Sequence, residues 1–533
     1  MKPPETLLLL VDSLFHDSLS TEVERLMNDI RGNGWSVKRF VIGRNALVAD
    51  VKNIIVNTYD SDPQNVRAVF LLGHIPVPYS GDIYPDGHTD HAGAWPADVF
   101  YAEMDGVWSD ETITDTLAAR PENRNKPGDG KYDHSYLPSN AELQIGRVDM
   151  FNMPAFGETE VAMMKRYLEK DHAYRNGNYI VQRRGLVDDN FGWFGGEAFS
   201  INAWRNFAPI VGLTTVEADF MTTLQTESYQ WAYGCGSGWY EGASGVGNTN
   251  NFVNDSVKAI FTMLFGSYFG DWDSQNNFLR APLCAADPAL TVCWAGRPHW
   301  LFHHMALGEN IGYSTRLTQN MTPGLYTTNF GGRLVHVALM GDPTLEVHVV
   351  LPPHDLFVTT PPNGYGATLQ WTSSADTVLG YYVYRCNEPY GQYQVVSDLL
   401  SGTTFTDTTG VSGMKYYMVR AAKHTFTPSG TFVNLSEGIV DSMQVTFITG
   451  VAGSLTTTFN LYPVPAVHNL RVSASTNGQH RWAVMDATGR VLLNGQSTTT
   501  DFNIDVSQLA AGNYSVRVTE KGFNESKRFS VIR

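Results

Sequence analysis

The chain has little cysteine, little positive charge and no long apolar run, and each shortage removes a class of protein. Four cysteines in 533 residues are too few for a disulfide framework. Cys284 and Cys293 are close enough to bridge a hairpin in an oxidising compartment, with two separate buried thiols as the other reading. Lys and Arg number 37 against 53 Asp and Glu, a net charge of -16, and no basic run occurs. Nucleic acid is therefore excluded as a partner, because phosphate recognition needs clustered cations. No apolar stretch approaches the roughly 18 residues of a transmembrane helix. The apolar stretch 7–11 is too short and wrongly flanked for a signal peptide and reads as a strand. An exported form would carry its leader outside this sequence.

What remains is the composition of a folded protein, 43% hydrophobic and 17% charged. Its length calls for about three domains. Aromatic residues make up 12% of the chain. They fill cores and sandwiches, or beside Gly, Asn and Asp they form stacking platforms for sugars. The acidity suits solubility and cation sites.

Residues 1–351 alternate strands with helices. Thr6-Leu-Leu-Leu-Leu-Val11 is continuously apolar, as a strand covered on both faces requires. A helix follows, with Leu19, Val23, Leu26, Met27 and Ile30 on one face, stopped at Gly32 and Gly34. A strand at 35–41, a helix at 47–56 and a buried strand at 68–72 complete a β-α-β-α-β unit. That order predicts an α/β fold with a parallel sheet, helices on both faces, and functional loops at the carboxyl ends of the strands. Residues 352–449 change to short alternating strands such as Leu369-Gln-Trp371, Gly380-Tyr-Tyr-Val-Tyr-Arg385 and Lys415-Tyr-Tyr-Met-Val-Arg-Ala421, the pattern of an antiparallel sandwich. Residues 456–533 form another, with Asn460-Leu-Tyr-Pro-Val-Pro465, Met485-Asp-Ala-Thr-Gly-Arg490 and Lys527-Arg-Phe-Ser-Val531 in fixed order.

Three resemblances follow from these stretches. Tyr233-Gly-Cys-Gly-Ser-Gly-Trp239 and Phe261-Thr-Met-Leu-Phe-Gly-Ser-Tyr-Phe-Gly-Asp-Trp272 resemble the two strand-end loops that carry the catalytic His and Cys of gingipain-type cysteine peptidases. Val69-Phe-Leu-Leu-Gly73, Leu143-Gln-Ile-Gly-Arg-Val148 and Leu339-Met-Gly-Asp-Pro-Thr-Leu345 resemble further landmarks of that family, in its order. The resemblance implies a caspase-like α/β fold and peptide bonds as substrate. Residues 352–449 resemble a fibronectin type III module. Residues 456–533 resemble the C-terminal sorting domain of the type IX secretion system, which implies secretion or surface attachment with that machinery as a partner.

The chemistry departs from the family. Its His position falls on Cys235 and its Cys position on Ser267, so the standard dyad is missing. A hydrolase with a rearranged site is one reading: Cys235 as nucleophile beside His74, His91, His303 or His304, or Ser267 with a base that the aligned position does not supply. A carboxylate site for glycosides is the second, with Asp271 and Asp273 facing a cleft, Trp239, Tyr240, Glu241 and Trp272 around it, and alternation turning both carboxyls the same way. A non-catalytic site that binds a peptide or glycan is the third. Asp82, Asp86 and Asp90 in Asp82-Ile-Tyr-Pro-Asp-Gly-His-Thr-Asp-His91 form a donor set suited to calcium, and Asp129 with Asp133 a second. The working expectation is a secreted hydrolase acting on an extracellular peptide or glycan polymer.

Overall fold

The computed structural model describes residues 5–179, 181–195, 197–321, 332–447, 459–474, 478–520 and 523–533. They form two compact units, Met1–Phe447 and Ile448–Arg533.

The first unit is built on a ten-stranded sheet. Its strands are β1 (Glu5–Asp12), β2 (Trp35–Ile42), β3 (Val66–Leu72), β4 (Gln144–Val148), β5 (Gly185–Asp189), β6 (Thr215–Glu217), β7 (Tyr229–Cys235), β8 (Ala259–Phe265), β9 (Thr291–Trp294) and β10 (Ala338–Gly341). They lie in the order β6-β5-β7-β8-β9-β10-β4-β3-β1-β2. The apolar runs read from the sequence are central here: Leu7, Leu8, Leu9, Leu10 and Val11 are fully buried, as are Phe70, Leu71 and Leu72. Helices α1 (Ser20–Gly32), α2 (Val48–Ser61), α3 (Glu160–Arg175) and α4 (Ile201–Val211) accompany the sheet. The expected helix at 47–56 runs a further turn. Its apolar pattern fades after Ile55, and beyond it Tyr59 still packs against the core while the Thr58 hydroxyl donates to the Ile54 carbonyl at 2.7 Å.

All pairings in the sheet are parallel except that of β9 with β10. The sheet therefore consists of two parallel halves running in opposite directions. Within each half the first, second, third and fourth strands repeat one spatial order: β2-β1-β3-β4 in one, β6-β5-β7-β8 in the other. That order creates a switch point between the first and third strand, where chain connections leave in opposite directions and open a crevice.

A sandwich of two sheets, one holding His354–Thr359, Ala367–Thr372 and Thr404–Asp407, completes the first unit. Leu369, Trp371, Val383, Tyr417 and Val419 fill its core. It docks on α1 and β2. Ser36 Oγ donates to the Tyr390 carbonyl at 2.8 Å, and Gly438 N–H donates to the Gly32 carbonyl at 2.9 Å. Gly32 permits this approach, because a Cβ there would lie 2.5 Å from the Glu437 side chain. The second unit is a separate two-sheet sandwich around Leu470, Val472, Val484, Ile504, Val516 and Phe529.

Candidate active site at the strand ends

β7 and β8 end side by side, with Cys235 opposite Phe265 and also opposite Asp189 of β5. The carboxyl ends of three adjacent strands thus share one rim. Ser267 follows two residues beyond β8, so the two motif positions meet where the sequence places them.

The two positions differ in kind. Cys235 is fully buried, and its thiol donates to Asp189 Oδ1 at 3.2 Å. Burial raises the thiol well above its ordinary range, and the Asp189 carboxylate adds to the rise against the opposing Tyr233 hydroxyl. A cysteine nucleophile must reach the thiolate, and burial beside the Asp189 carboxylate opposes that at Cys235. None of the four histidines considered as its base stands beside it. His74 pairs with Asp149 at 2.8 Å, and His91 with Asp86 at 2.7 Å. His303 and His304 lie in a 3-10 turn, Phe302–Leu307, with their rings 4.1 Å apart.

Ser267 has an imidazole beside it, as Cys235 does not. His88 Nε2 lies 2.9 Å from Ser267 Oγ. His88 belongs to a loop at the tip of the hairpin formed by Tyr79–Ile83 and Gly93–Pro96, which follows β3 in the opposite half of the sheet. Its ring stacks on Tyr268 with centroids 5.2 Å apart and planes at 26°. Tyr268 itself is held at φ 69, a left-handed conformation that costs a non-glycine residue about 1 kcal/mol or more and is found where function fixes the chain. Gly238 in the β7 loop allows the two rims to close, because a Cβ there would sit 2.4 Å from both the Ser267 N and O.

One buried carboxylate organises this corner. Asp86 Oδ2 accepts from the Tyr268 N–H at 3.0 Å and contacts His91 Nδ1, while Oδ1 accepts from the His88 N–H at 3.2 Å. His91 Nε2 lies 3.5 Å from Asp271 Oδ2 and 3.2 Å from the Tyr240 hydroxyl. Burial works against the imidazolium, but hydrogen bonds to Asp271 and Asp86 outweigh it and push His91 up to about 9. Burial likewise opposes ionisation of Asp86, and His91 reverses that, holding the carboxyl below its ordinary value.

The other predicted residues are differently employed. Asp271 is fully buried and accepts from Arg120 NH1 at 2.5 Å and from Asn123 Nδ2 at 2.9 Å. Asp273 accepts from the Tyr79 hydroxyl at 2.8 Å, and burial raises its carboxyl. The segment turns instead of extending, so the alternation expected for these two carboxyls does not apply. Trp272 is fully buried with the Arg147 guanidinium 5.0 Å from its ring, which corrects its expected role as a stacking face. Trp239 is exposed, Tyr240 half-buried against His91, and Glu241 half-buried on the same hairpin. Asp82, Asp86 and Asp90 do not converge. Asp82 is exposed, Asp86 is engaged as above, and Asp90 accepts from the Tyr268 hydroxyl at 3.4 Å. Asp133 instead accepts backbone N–H groups of Glu111, Thr112 and Ile113. Among the described residues no three His, Cys, Asp or Glu side chains are grouped to hold a metal ion. Cys284 and Cys293 are separate buried thiols.

Sequence reasoning missed His88 as the partner of Ser267. The available signal was the concentration of His and Asp in an insertion that leaves the carboxyl end of a strand.

Residues 460–532 match the family model of the secretion system C-terminal sorting domain. Among solved structures, the chain is similar to the Arg-specific cysteine proteinase gingipain R at 11% identity and a TM-score of 0.46, covering 81% of this chain and 97% of that one. It is also similar to an Fn3-like protein from Clostridium thermocellum (22% identity, TM-score 0.14, 16% of this chain and 92% of that one). A two-domain fibronectin type III segment of chicken tenascin is similar at 14% identity and a TM-score of 0.14, over 34% of this chain and 99% of that one. No curated protein matches the chain. The protein is a secreted one, with an α/β sheet domain, an antiparallel β-sandwich and a C-terminal sorting domain of the secretion system. Among the described residues no helix is long and apolar enough to cross a membrane.

Proposed function

We propose that the sheet domain is a hydrolase acting on peptide bonds of an extracellular polymer, with Ser267 as nucleophile and His88 as general base. The observation that carries this reading is the 2.9 Å contact between Ser267 Oγ and His88 Nε2 at the rim shared by β7 and β8. A serine hydroxyl is a poor nucleophile until a neighbouring base takes its proton. His88 accepts that proton as Oγ attacks the carbonyl carbon, then returns it to the leaving amine. A water, deprotonated by the same imidazole, then cleaves the acyl-serine ester and restores the hydroxyl. Among the described residues no carboxylate contacts His88 Nδ1, so this is a pair, oriented by the Tyr268 ring in place of a third acid. Asp271 and Asp273 take no step in this reading, because buried partners already occupy them.

A fluorophosphonate probe on the full chain tests it. Covalent labelling should fall on Ser267 and disappear in Ser267→Ala, together with casein hydrolysis. A Ser267→Ala variant as active as the parent would instead leave the rim as a binding site without chemistry.

A further inference from the structure

We propose that Asp86 is the positioning residue of this site, and that the buried His91 ring is what keeps Asp86 in place. The inference rests on the Ser267–His88 reading and names how that pair is assembled. Ser267 and His88 come from strands in opposite halves of the sheet, so neither half fixes their separation. Asp86 is 5% exposed and bonds to both sides of the contact at once. One oxygen takes the backbone N–H of His88 itself, and the other takes the N–H of Tyr268, the residue after Ser267. No other carboxylate among the described residues bridges the two loops in this way.

Asp86 needs its own anchor, and His91 supplies it from the same loop. The imidazole is 2% exposed and sits between Asp86 and Asp271, with the Tyr240 hydroxyl at its Nε2. The Tyr268 ring stacks on one side at 4.7 Å, and Trp95 lies 4.5 Å away at a tilt. Beyond Asp271, Arg120 balances the second carboxylate. Asp90 reaches the Tyr268 hydroxyl from outside, and His336 lies on the Trp95 side, 6.4 Å between rings. Two carboxylates facing one imidazole favour the imidazolium. A neutral ring bonds only one of them through an N–H and leaves the other buried against a lone pair. That one is Asp86, through Nδ1 at 2.7 Å, while the Tyr240 hydroxyl can donate to the freed Nε2, so the ring anchors Asp86 in either protonation state, and with it the approach of His88 to Ser267.

Displacement of a catalytic base by about 1 Å costs roughly 100-fold in rate. In the full-length protein, Asp86→Asn should lower kcat on casein and the rate of fluorophosphonate labelling of Ser267 by about 10- to 100-fold, with KM within about twofold. Asp82→Asn, on the strand that leads into the loop and exposed, should leave both unchanged. His91→Gln, which removes the ring that anchors Asp86, should lower both by about 10-fold or more. Full labelling in Asp86→Asn would overturn the inference while leaving the hydrolase reading intact. Absence of labelling in the parent itself would instead remove the hydrolase reading. Should Asp86→Asn fail to fold, His91→Gln decides the matter, and full labelling there would overturn the inference.

Discussion

The two halves of the central sheet repeat one strand order and finish their strands in opposite ways. At the carboxyl ends of β1, β3 and β4 stand Asp12, His74 and Asp149, and every charge is answered locally. Arg44 binds Asp12 at 2.7 Å and reaches Glu160, His74 binds Asp149 at 2.8 Å, and Arg280 and Arg147 flank Asp149 at 3.7 and 3.8 Å. At the carboxyl ends of β5, β7 and β8 stand Asp189, Cys235 and the segment leading to Ser267. There the thiol is sealed, and a half-buried hydroxyl is left facing an imidazole. The same topology therefore yields a rim closed by ion pairs in one half and a rim with one accessible nucleophile in the other. A switch point provides the crevice, but side chains decide whether it becomes a site.

The comparison breaks most visibly at the two histidines. His88→Gln should cut kcat by about 10²- to 10⁴-fold, the usual contribution of a general base. His74→Gln should leave kcat near the parent value, since the His74 ring is committed to Asp149 and stacked on Phe151 with centroids 4.1 Å apart. Steady-state hydrolysis of casein by both variants checks this, and equal losses would mean that the halves are not functionally distinct.

Stability should rank the other way. Asp149 is fully buried between His74, Arg280 and Arg147. Burial alone raises a carboxyl, but here His74 and the two guanidiniums hold Asp149 well below its ordinary range. Asp149→Ala leaves buried Arg280 and the His74 ring without their carboxylate, while Arg147 keeps Asp98, and should cost about 3 kcal/mol. Cys235→Ala removes a small, satisfied group from a packed rim and should cost about 1 kcal/mol, with catalysis retained. Chemical denaturation of the two variants measures the difference. A larger loss from Cys235→Ala would place the structural burden on the wrong half.

The halves also differed in how far the sequence disclosed them. The β-α-β-α-β order of the first half was legible because unbroken apolar runs such as Leu7 to Leu10 specify strands buried on both faces. The rim of the second half was legible as a meeting of Cys235 and the Ser267 segment, since both follow apolar strands of equal length. The partner of Ser267 was not. His88 arrives across the sheet from an insertion, and contacts between residues 179 positions apart leave no local pattern. Trp272 and Asp271 misled for the opposite reason. Aromatic and acidic residues in a Gly-rich loop look exposed in one dimension, yet this loop folds inward onto Arg147 and Arg120, where the same residue types serve packing and ion pairing. The antiparallel join of β9 to β10 was equally hidden, because parallel and antiparallel edges of a buried sheet share one apolar composition.

The remaining difference concerns pH, and it separates the loop that carries His88 from the ion pairs of the first half. His91 is raised from 6.5 to about 9 by Asp271 and Asp86, against the opposing effect of burial. A raised folded-state value means that the fold binds the proton more tightly than the unfolded chain, so stability falls as pH rises from the unfolded value to the folded one. Its contribution is therefore complete below about pH 6.5 and disappears as pH rises through about 9. The shift corresponds to at most about 3 kcal/mol. Asp149 behaves in the reverse sense. Its depressed value stabilises the fold above the ordinary carboxylate range and fails only in acid, as pH falls through its folded-state value. Between pH 6.5 and 9 the ionisation of Asp149 should thus not change while the insertion loop weakens. Hydrogen exchange across that range, corrected for the intrinsic base-catalysed rate, should show falling protection at residues 84–91 and 268–271. His91→Gln should exchange fast in the loop at every pH, and a pH response that survived this substitution would assign the titration to some other group.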